Sequence, residues 1–600
     1  MFYPRRAIIN ENRQMTSEFL GYNHNLQIGE GEFYDMKNMT SDYYPVLAPR
    51  KKRGGFSVGV ASGLIDKDGL CHVFDGEFVL SNGDTVDMSL SDKPKQLISM
   101  GSYVIVMPDK KWINTVKKDV EGEYEWGDIE YRENTLLGVK FYLCDQDGVL
   151  YGPAQPSKTA PLTPGDGSLW IDTSSTSTVL KQYSEGQSMW VSIPTTYVKI
   201  ESQGIGRSFS KYDGVKISGI TLSDAASLNG YHTLWDVAED YIIVTGIINE
   251  DGEQEENITI SREMPIMDHV IECNNRLWGC RYGANADGEI VNEIYASKQG
   301  DFKNWFCYMQ ISTDSWTQGV GSDGAFTGAI THGGHPIFFK ENCMHKVYGS
   351  IPANFQVQTT PCRGVQKGSH RSLAVVNETL FYKSANAVCA YDGSMPIEVS
   401  SALGDVRYGD AVACAYGNKY YISMRDLSKN YSTIEELRKN YSLFVYDTAK
   451  GMWHKEDDLC VDVFCACKDE IYAIGHESQD IINFFGYGKI NGDTGDDYEE
   501  KVPWMVETGL IGMFMPDMKY ISKILIRMSL DAGSSINVSI QYDSSGDWEY
   551  VCSMSETSLR SFSVPIRPRR CDHFRIRIEG VGDGKIYSIT KTIEQGSDRS

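Results

Sequence analysis

The stretch that most constrains what this chain can fold into runs from Phe338 to Gly393, where one short pattern is written twice, 43 residues apart. Phe338, Phe339 and Lys340 return as Phe381, Tyr382 and Lys383, and Val347-Tyr348-Gly349-Ser350 returns as Ala390-Tyr391-Asp392-Gly393. In each copy an apolar strand leaves a polar turn, and a second strand ends on an aromatic residue and a tight turn. Related endings stand at Val73-Phe74-Asp75-Gly76 and Val445-Tyr446-Asp447. A period in the low forties, built only from strand and turn chemistry, predicts the blades of a β-propeller. A blade cannot cover its own two faces, so blades stack on neighbours around an axis. The pattern favours a rigid ring-like scaffold over a cleft enzyme.

Six hundred residues exceed a single hydrophobic core, which leads us to expect about two to four domains. The 41% apolar and 11% aromatic content suits a folded β-rich chain. Thirty-five tyrosines fit half-buried strands, and 57 glycines supply turns. A net charge of −24 argues against a protein that binds nucleic acid by neutralising phosphates. It suits either a surface past which DNA slides or simply a soluble acidic surface. No apolar run approaches the roughly 18 residues of a membrane helix, so no membrane insertion is expected. Met1 to Asn10 has two arginines but no apolar core of signal-peptide length, so the chain is expected to be made in a cytoplasm. Its 14 cysteines are scattered through strands, which predicts buried reduced thiols.

The expected fold class is mainly β: a β-propeller with an inserted β-barrel or sandwich domain and a C-terminal β-sandwich. Residues 1–55 read as an extended arm, with single apolar residues and a closing Arg50-Lys51-Lys52-Arg53. Residues 56–136 carry the first propeller strands, with hairpin signals at Asp68-Gly69, Asp75-Gly76 and Asn82-Gly83. Residues 137–265 break the rhythm as an inserted barrel-like domain. It opens on a loop marked by Pro153, Pro156, Pro161 and Pro164. Residues 266–487 resume the propeller, with one helix expected where Ser432 and Glu435 have capping-box spacing ahead of Leu437. Residues 488–501 form a Gly/Asp linker. In 502–600, Ile524, Ile526, Met528 and Leu530 share one face, as do Ile536, Val538, Ile540 and Tyr542, and Phe574, Ile576 and Ile578. That period-two patterning predicts a sandwich that folds by itself.

A search for chemistry yields no catalytic, cofactor or metal residue. Cys460, Cys465, Cys467 and nearby His454 lack the second tight pair of a zinc site. His332 and His335 stand three apart, but Gly333, Gly334 and Pro336 exclude a helical metal face. Asp493, Asp496, Asp497, Glu499 and Glu500 miss the calcium-loop spacing and read as a solvated acidic linker. Gly55-Phe56-Ser57-Val58-Gly59 has the letters of a hydrolase elbow but lacks the strand before and the helix after. There is no phosphate loop. Carboxylates are abundant and a glycosidase pair stays open, but nothing singles out two of them. The expectation is a chain that is not an enzyme.

Arg276-Leu277-Trp278, then Asn292-Glu293-Ile294-Tyr295-Ala296-Ser297 and Gly300-Asp301-Phe302-Lys303-Asn304-Trp305, form the strongest signature. It resembles the propeller of bacteriophage tail nozzle proteins (the tail tubular protein B family) and related tail-hub and neck proteins. Phe339-Lys340-Glu341-Asn342, Tyr348-Gly349 and Asn354-Phe355 are similar to the next blade of that family. The arm string Gly21, Gly29-Glu30, Asp35, Asn38 and Pro45 to Arg50 also fits. The resemblance implies a virion structural protein, a homo-oligomeric sixfold ring around the DNA exit channel. Its implied partners are portal-adaptor or neck proteins and tail fibres or tail-tip proteins. Genomic DNA would pass through during ejection without sequence-specific binding. On this reading the lumen is acidic, and the basic Arg50–Arg53 run meets acidic partners at joints between subunits.

The alternative reading is a receptor-binding or carbohydrate-active tail protein using the propeller face or the sandwich, which an aromatic shelf beside paired carboxylates on one propeller face would favour. A cellular sugar-binding propeller is a third. Individual residues carry structural expectations: Trp278 and Trp305 fill space between blades, Gly300-Asp301 and Asp392-Gly393 make turns, and Lys340 and Lys383 face solvent.

Overall fold

The computed structural model describes residues 11–56, 60–118, 120–476, 480–486, 489–490, 493–494, 496–497 and 499–595. Met1 to Asn10, and Ser57 to Gly59 of the elbow-like run, lie outside the described residues. The fold is nearly all β. Contacts divide the chain into two compact units: Met1–Leu97, Phe339–Met344 and Thr360–Ser600 in one, Ile98–Phe338 and His345–Thr359 in the other.

The repeat resolves into propeller blades, each an antiparallel meander of four strands. Among the described residues there are seven, spanning 61–87, 96–128, 269–319, 328–361, 374–398, 408–455 and 461–483. The last takes its fourth strand from Gly54–Phe56, which pairs with Ile481–Asn483. Asp496 and Asp497 pair in turn with Gly55 and Gly54, so this part of the expected linker is sheet. Blades bury both faces against neighbours. Cys465, Tyr472 and Ile474 pack with Ala61, Leu64 and Leu70 in the first unit. In the second, Trp278 packs with Phe338 and Phe355. Trp305 packs with Ile98, Ile105 and Trp112.

Two-sided burial corrects the expectation for the repeated lysines. Lys340 and Lys383 end second strands of their blades and are buried, because the strand has no solvent face there. The Lys383 ammonium donates to the carbonyls of Ser384 (2.5 Å) and Ala385 (3.5 Å) and to Gln366 Oε1 (3.2 Å). Burial lowers its pKa to about 8. The single α-helix among the described residues, Ile434–Arg438, starts one residue later than the spacing suggests. Thr433, not Ser432, accepts from the Glu436 N–H, and Glu436 in return accepts from the Ser432 N–H.

The inserted domain begins at Tyr131, earlier than expected, because Tyr131–Asn134 pairs with Thr259–Arg262. Its eight-stranded sheet encloses a core drawn wholly from residues 139–260. A small sheet over 155–192 sits on it. There Gln155–Ser157, expected as loop, pairs in parallel with Trp170–Asp172.

The C-terminal strands alternate as expected, and Ile521 joins the buried face through a bulge between Ile521 and Lys523 that resets the phase. The sandwich is not self-contained, however. Glu11–Thr16 pairs with Glu594–Ile589, and Lys37–Phe33 with Met505–Thr508. One ten-stranded sheet runs from the blade at 408–455 through Gly21–Tyr22 and Glu32–Lys37 into the sandwich. Phe33 and Met36 of the arm, Tyr420 and Phe444 of the blade, and Ile524 and Ile576 of the sandwich share one core. The expectation of independent folding is therefore corrected: the C-terminal segment lacks strands and core that the arm supplies.

The basic run is also corrected. Arg50 and Arg53 are buried within their own chain. Arg50 makes a bidentate pair with Glu499 (2.6 and 2.7 Å), and Arg53 pairs with Glu456 (2.7 Å) and Asp457 (2.5 Å). The two guanidiniums cannot serve a joint to a neighbour. Burial alone would raise Asp457 and Glu499, but the arginines outweigh it and hold both below the usual carboxylate range. Burial prevails at Glu456 and raises it. Glu499 is thus no part of a solvated linker.

Candidate functional site

The inserted domain meets the blade at 269–319 through buried polar groups, all in the second unit. Asn304 Nδ2 donates to Asp213 Oδ1 (2.9 Å) and Asp301 Oδ2 (2.5 Å), while its Oδ1 accepts from the Gly214 N–H (2.9 Å). Asp213 also pairs with Arg262 (3.1 Å). A side chain at Gly214 would collide with the Phe306 backbone at 2.4 Å, so glycine is required there. The Gly300–Trp305 signature, read from sequence as a turn, is thus also the joint that seats the insert.

Arg276 shapes the loop beyond it. Its guanidinium, lowered to about 10 by burial, donates to the carbonyls of Ser297 (2.8 Å), Ser312 (2.9 Å), Thr313 (3.3 Å) and Asp314 (2.6 Å). The Asp314 carboxylate in turn accepts from the Met309 N–H (2.6 Å) and the Ile311 N–H (3.2 Å). Phe306 to Gln310 are thereby held facing the strand Gly230–Ala238.

A cleft of about 400 Å³ opens along this seam, within the roughly 300–1,000 Å³ of ordinary ligand sites. Tyr231, Thr233 and Trp235 project from alternate positions of the strand. Tyr197, Phe306 and Tyr308 complete the aromatic walls. Tyr231 stacks on Phe306 (centroids 4.1 Å, 25°), and Trp235 lies 5.1 Å from Tyr197. Trp235 falls where the pairing with 241–245 slips by one residue, a bulge of the kind that re-aims a side chain. Its Nε1 donates to the Gln146 carbonyl (2.9 Å). The polar lining is uncharged apart from what His232 contributes: Thr195, Thr233, Thr245 and Gln310. Burial keeps His232 below its ordinary pKa and so favours the neutral ring. Tyr231 is 38% and Tyr308 52% exposed, so the rings present surface to solvent.

Two glutamates flank the aromatic walls. The Tyr231 hydroxyl donates to Glu263 (3.0 Å), and the Tyr295 hydroxyl to Glu293 (2.6 Å). Burial first, and then these carboxylates, raise both phenols.

Other cavities offer less. The Lys383 pocket, also about 400 Å³, has an ammonium whose donors already meet three acceptors. A space of about 150 Å³ near Thr16 holds the Lys591–Glu30 ion pair (2.8 Å). His332 and His335 flank a hairpin turn whose Gly333 and Gly334 have φ of 58° and 75°. Cys465 and Cys467 lie on the strand Val461–Cys467, and burial pushes the Cys467 thiol up to about 12. Among the described residues no group of three or more His, Cys, Asp or Glu is arranged to hold a metal ion. Among them no helix is long and apolar enough to cross a membrane.

The sequence search missed every cleft residue. The one available signal was the aromatic alternation of Tyr231-His232-Thr233-Leu234-Trp235. The partner wall comes from a loop 70 or more positions away, with no motif of its own.

No protein-family model and no curated protein matches the chain. Solved structures similar to it include an exo-β-1,3-galactanase from Phanerochaete chrysosporium (TM-score 0.22, 8% identity, 54% of this chain and 96% of that one). The phage phi92 endosialidase is another (TM-score 0.23, 8% identity, 76% and 73%). A GH43 glycoside hydrolase with endo-xylanase and exo-arabinofuranosidase activity is a third (TM-score 0.18, 6% identity, 56% and 99%). None of these three is a tail nozzle protein. At such scores the likeness carries no argument about the chemistry of this chain. One expectation is corrected nonetheless: with glycoside hydrolases among the structural neighbours, a missing hydrolase motif does not exclude catalysis, and the exclusion of enzymatic activity is withdrawn.

Proposed function

We propose that this chain is a virion tail protein that holds a carbohydrate in the cleft between its inserted domain and the blade at 269–319. The observation that carries the reading is the cleft itself: aromatic walls in which Tyr231 and Tyr308 are exposed, with threonine and glutamine between them. A sugar ring offers an apolar C–H face to an aromatic ring and hydroxyls to side-chain oxygens and amides. The lining itself holds no lysine or arginine, while Lys216 and Lys211 stand over the Tyr231 and Trp235 rings at 5.3 and 5.9 Å, so neutral and acidic sugars both fit. The placement in a tail rests on the signature at 276–305. The test is an array of mono-, oligo- and polysaccharides probed with the full chain and with Tyr231→Ala and Trp235→Ala. Binding to a defined glycan class, weakened in both variants or lost in Tyr231→Ala, supports the reading. No binding, or binding that both variants retain, overturns it. Assaying the bound class for new reducing ends then tells holding from cutting.

A second reading, a tail nozzle or hub subunit, is favoured by the same signature, whose Arg276, Asn304 and Trp305 are architectural. It calls for a ring with an acidic lumen through which DNA passes. Electron microscopy of the purified chain decides it: rings with a central channel support it, monomers at all concentrations oppose it.

A further inference from the structure

Resting on the carbohydrate reading, we infer that the cleft takes an extended oligosaccharide and not a single sugar, with Trp235 and Tyr231 serving separate units of one chain. The strand from Gly230 to Ala238 places Tyr231 and Trp235 four residues apart, about 13 Å at roughly 3.3 Å per residue. Each end has its own aromatic pair, Tyr231 with Phe306 at one and Trp235 with Tyr197 at the other. One pyranose ring cannot lie against both. Thr233 stands between the two pairs, and its hydroxyl accepts the Tyr308 N–H (3.0 Å), which fixes the loop wall at the middle of the cleft. Thr195, Thr245 and Gln310 add further polar groups to the lining. Aromatic ends with a polar middle suit a chain whose successive rings stack, bridge and stack again. The loop wall is a positioned element: Arg276 and Asp314 hold the backbone of 309–314 without lining the cleft.

The experiment titrates the full chain with β-1,4-linked glucose and α-2,8-linked sialic acid oligomers of one to six units, and with the class found on the array, by calorimetry and tryptophan fluorescence. The expected result is affinity rising at least tenfold between one and four units and then levelling. Trp235→Ala should flatten that rise and bring the long oligomers to the affinity of short ones. Equal affinity for one and six units, or a length dependence that survives Trp235→Ala, overturns the inference and leaves the carbohydrate reading standing. Absence of binding to every oligomer and to the array overturns the reading itself. Circular dichroism of each variant separates lost binding from lost fold.

Discussion

The inserted domain and the C-terminal sandwich are both antiparallel β modules beside propeller blades, yet they are attached by opposite means. The sandwich is fused to its blade by a continuous hydrogen-bonded sheet and one apolar core, with the arm threaded between them. The insert keeps a core of its own and meets its blade through directional bonds, Asn304 to Asp213 and Gly214, Lys216 to Asp287 and Tyr308 to Thr233, with the Tyr231–Phe306 stack beside them. An apolar seam closes until no space is left, since interiors pack to crystal-like density. A seam built on a few directional polar bonds fixes orientation without filling the rest of the interface. The cleft lies at the second kind of seam.

The comparison breaks most readily on isolated pieces. Residues 500–600 alone should lack a cooperative thermal transition, whereas residues 131–265 alone should unfold cooperatively. The reverse outcome would invert the account of which core is shared. Next in size, Arg53→Ala should cost about 3–5 kcal/mol in chemical denaturation, because it removes the nearer of two guanidiniums from the buried Glu456 and Asp457 and leaves them only Arg50, at 3.8 and 3.3 Å. A similar loss is expected for Trp278→Ala, which empties the space between two blades of the second unit. A loss under about 1 kcal/mol would place that tryptophan outside the core. Asn304→Ala should cost less, about 1–3 kcal/mol, by leaving the Gly214 N–H unsatisfied. It should weaken cleft binding while the transition of the insert's own core stays in place.

The smallest effect is in pH. Asp457 and Glu499 are held low, so their stabilisation is complete above the unfolded carboxylate values, about 4, and is lost as pH falls through the folded ones. Glu456 is held high, so protonation relieves its cost and opposes the trend. Arg53→Ala should shrink that acid dependence as measured by denaturation midpoints between about pH 7 and pH 3.

The blades were legible because their period and turns are local. Strand alternation at 524–530 and 574–578 located the sandwich faces equally well. Ownership of the core was not legible: Phe33 and Met36 look like isolated apolar residues until they meet Ile524 and Ile576. Burial of Lys340 and Lys383 escaped for a related reason, since a strand covered on both faces can bury a charge that its carbonyls satisfy. The cleft was least legible. Tyr231 and Trp235 lie on one strand, Phe306 and Tyr308 on a distant loop, and only tertiary contacts such as the Asn304–Asp213 bond and the Tyr308–Thr233 bond bring them together.

The most direct test is a structure of the full chain with its longest bound oligosaccharide. The account predicts sugar density running from the Tyr231–Phe306 pair to Trp235, between Thr233 and Gln310. Density on another face, with the cleft empty, would contradict it.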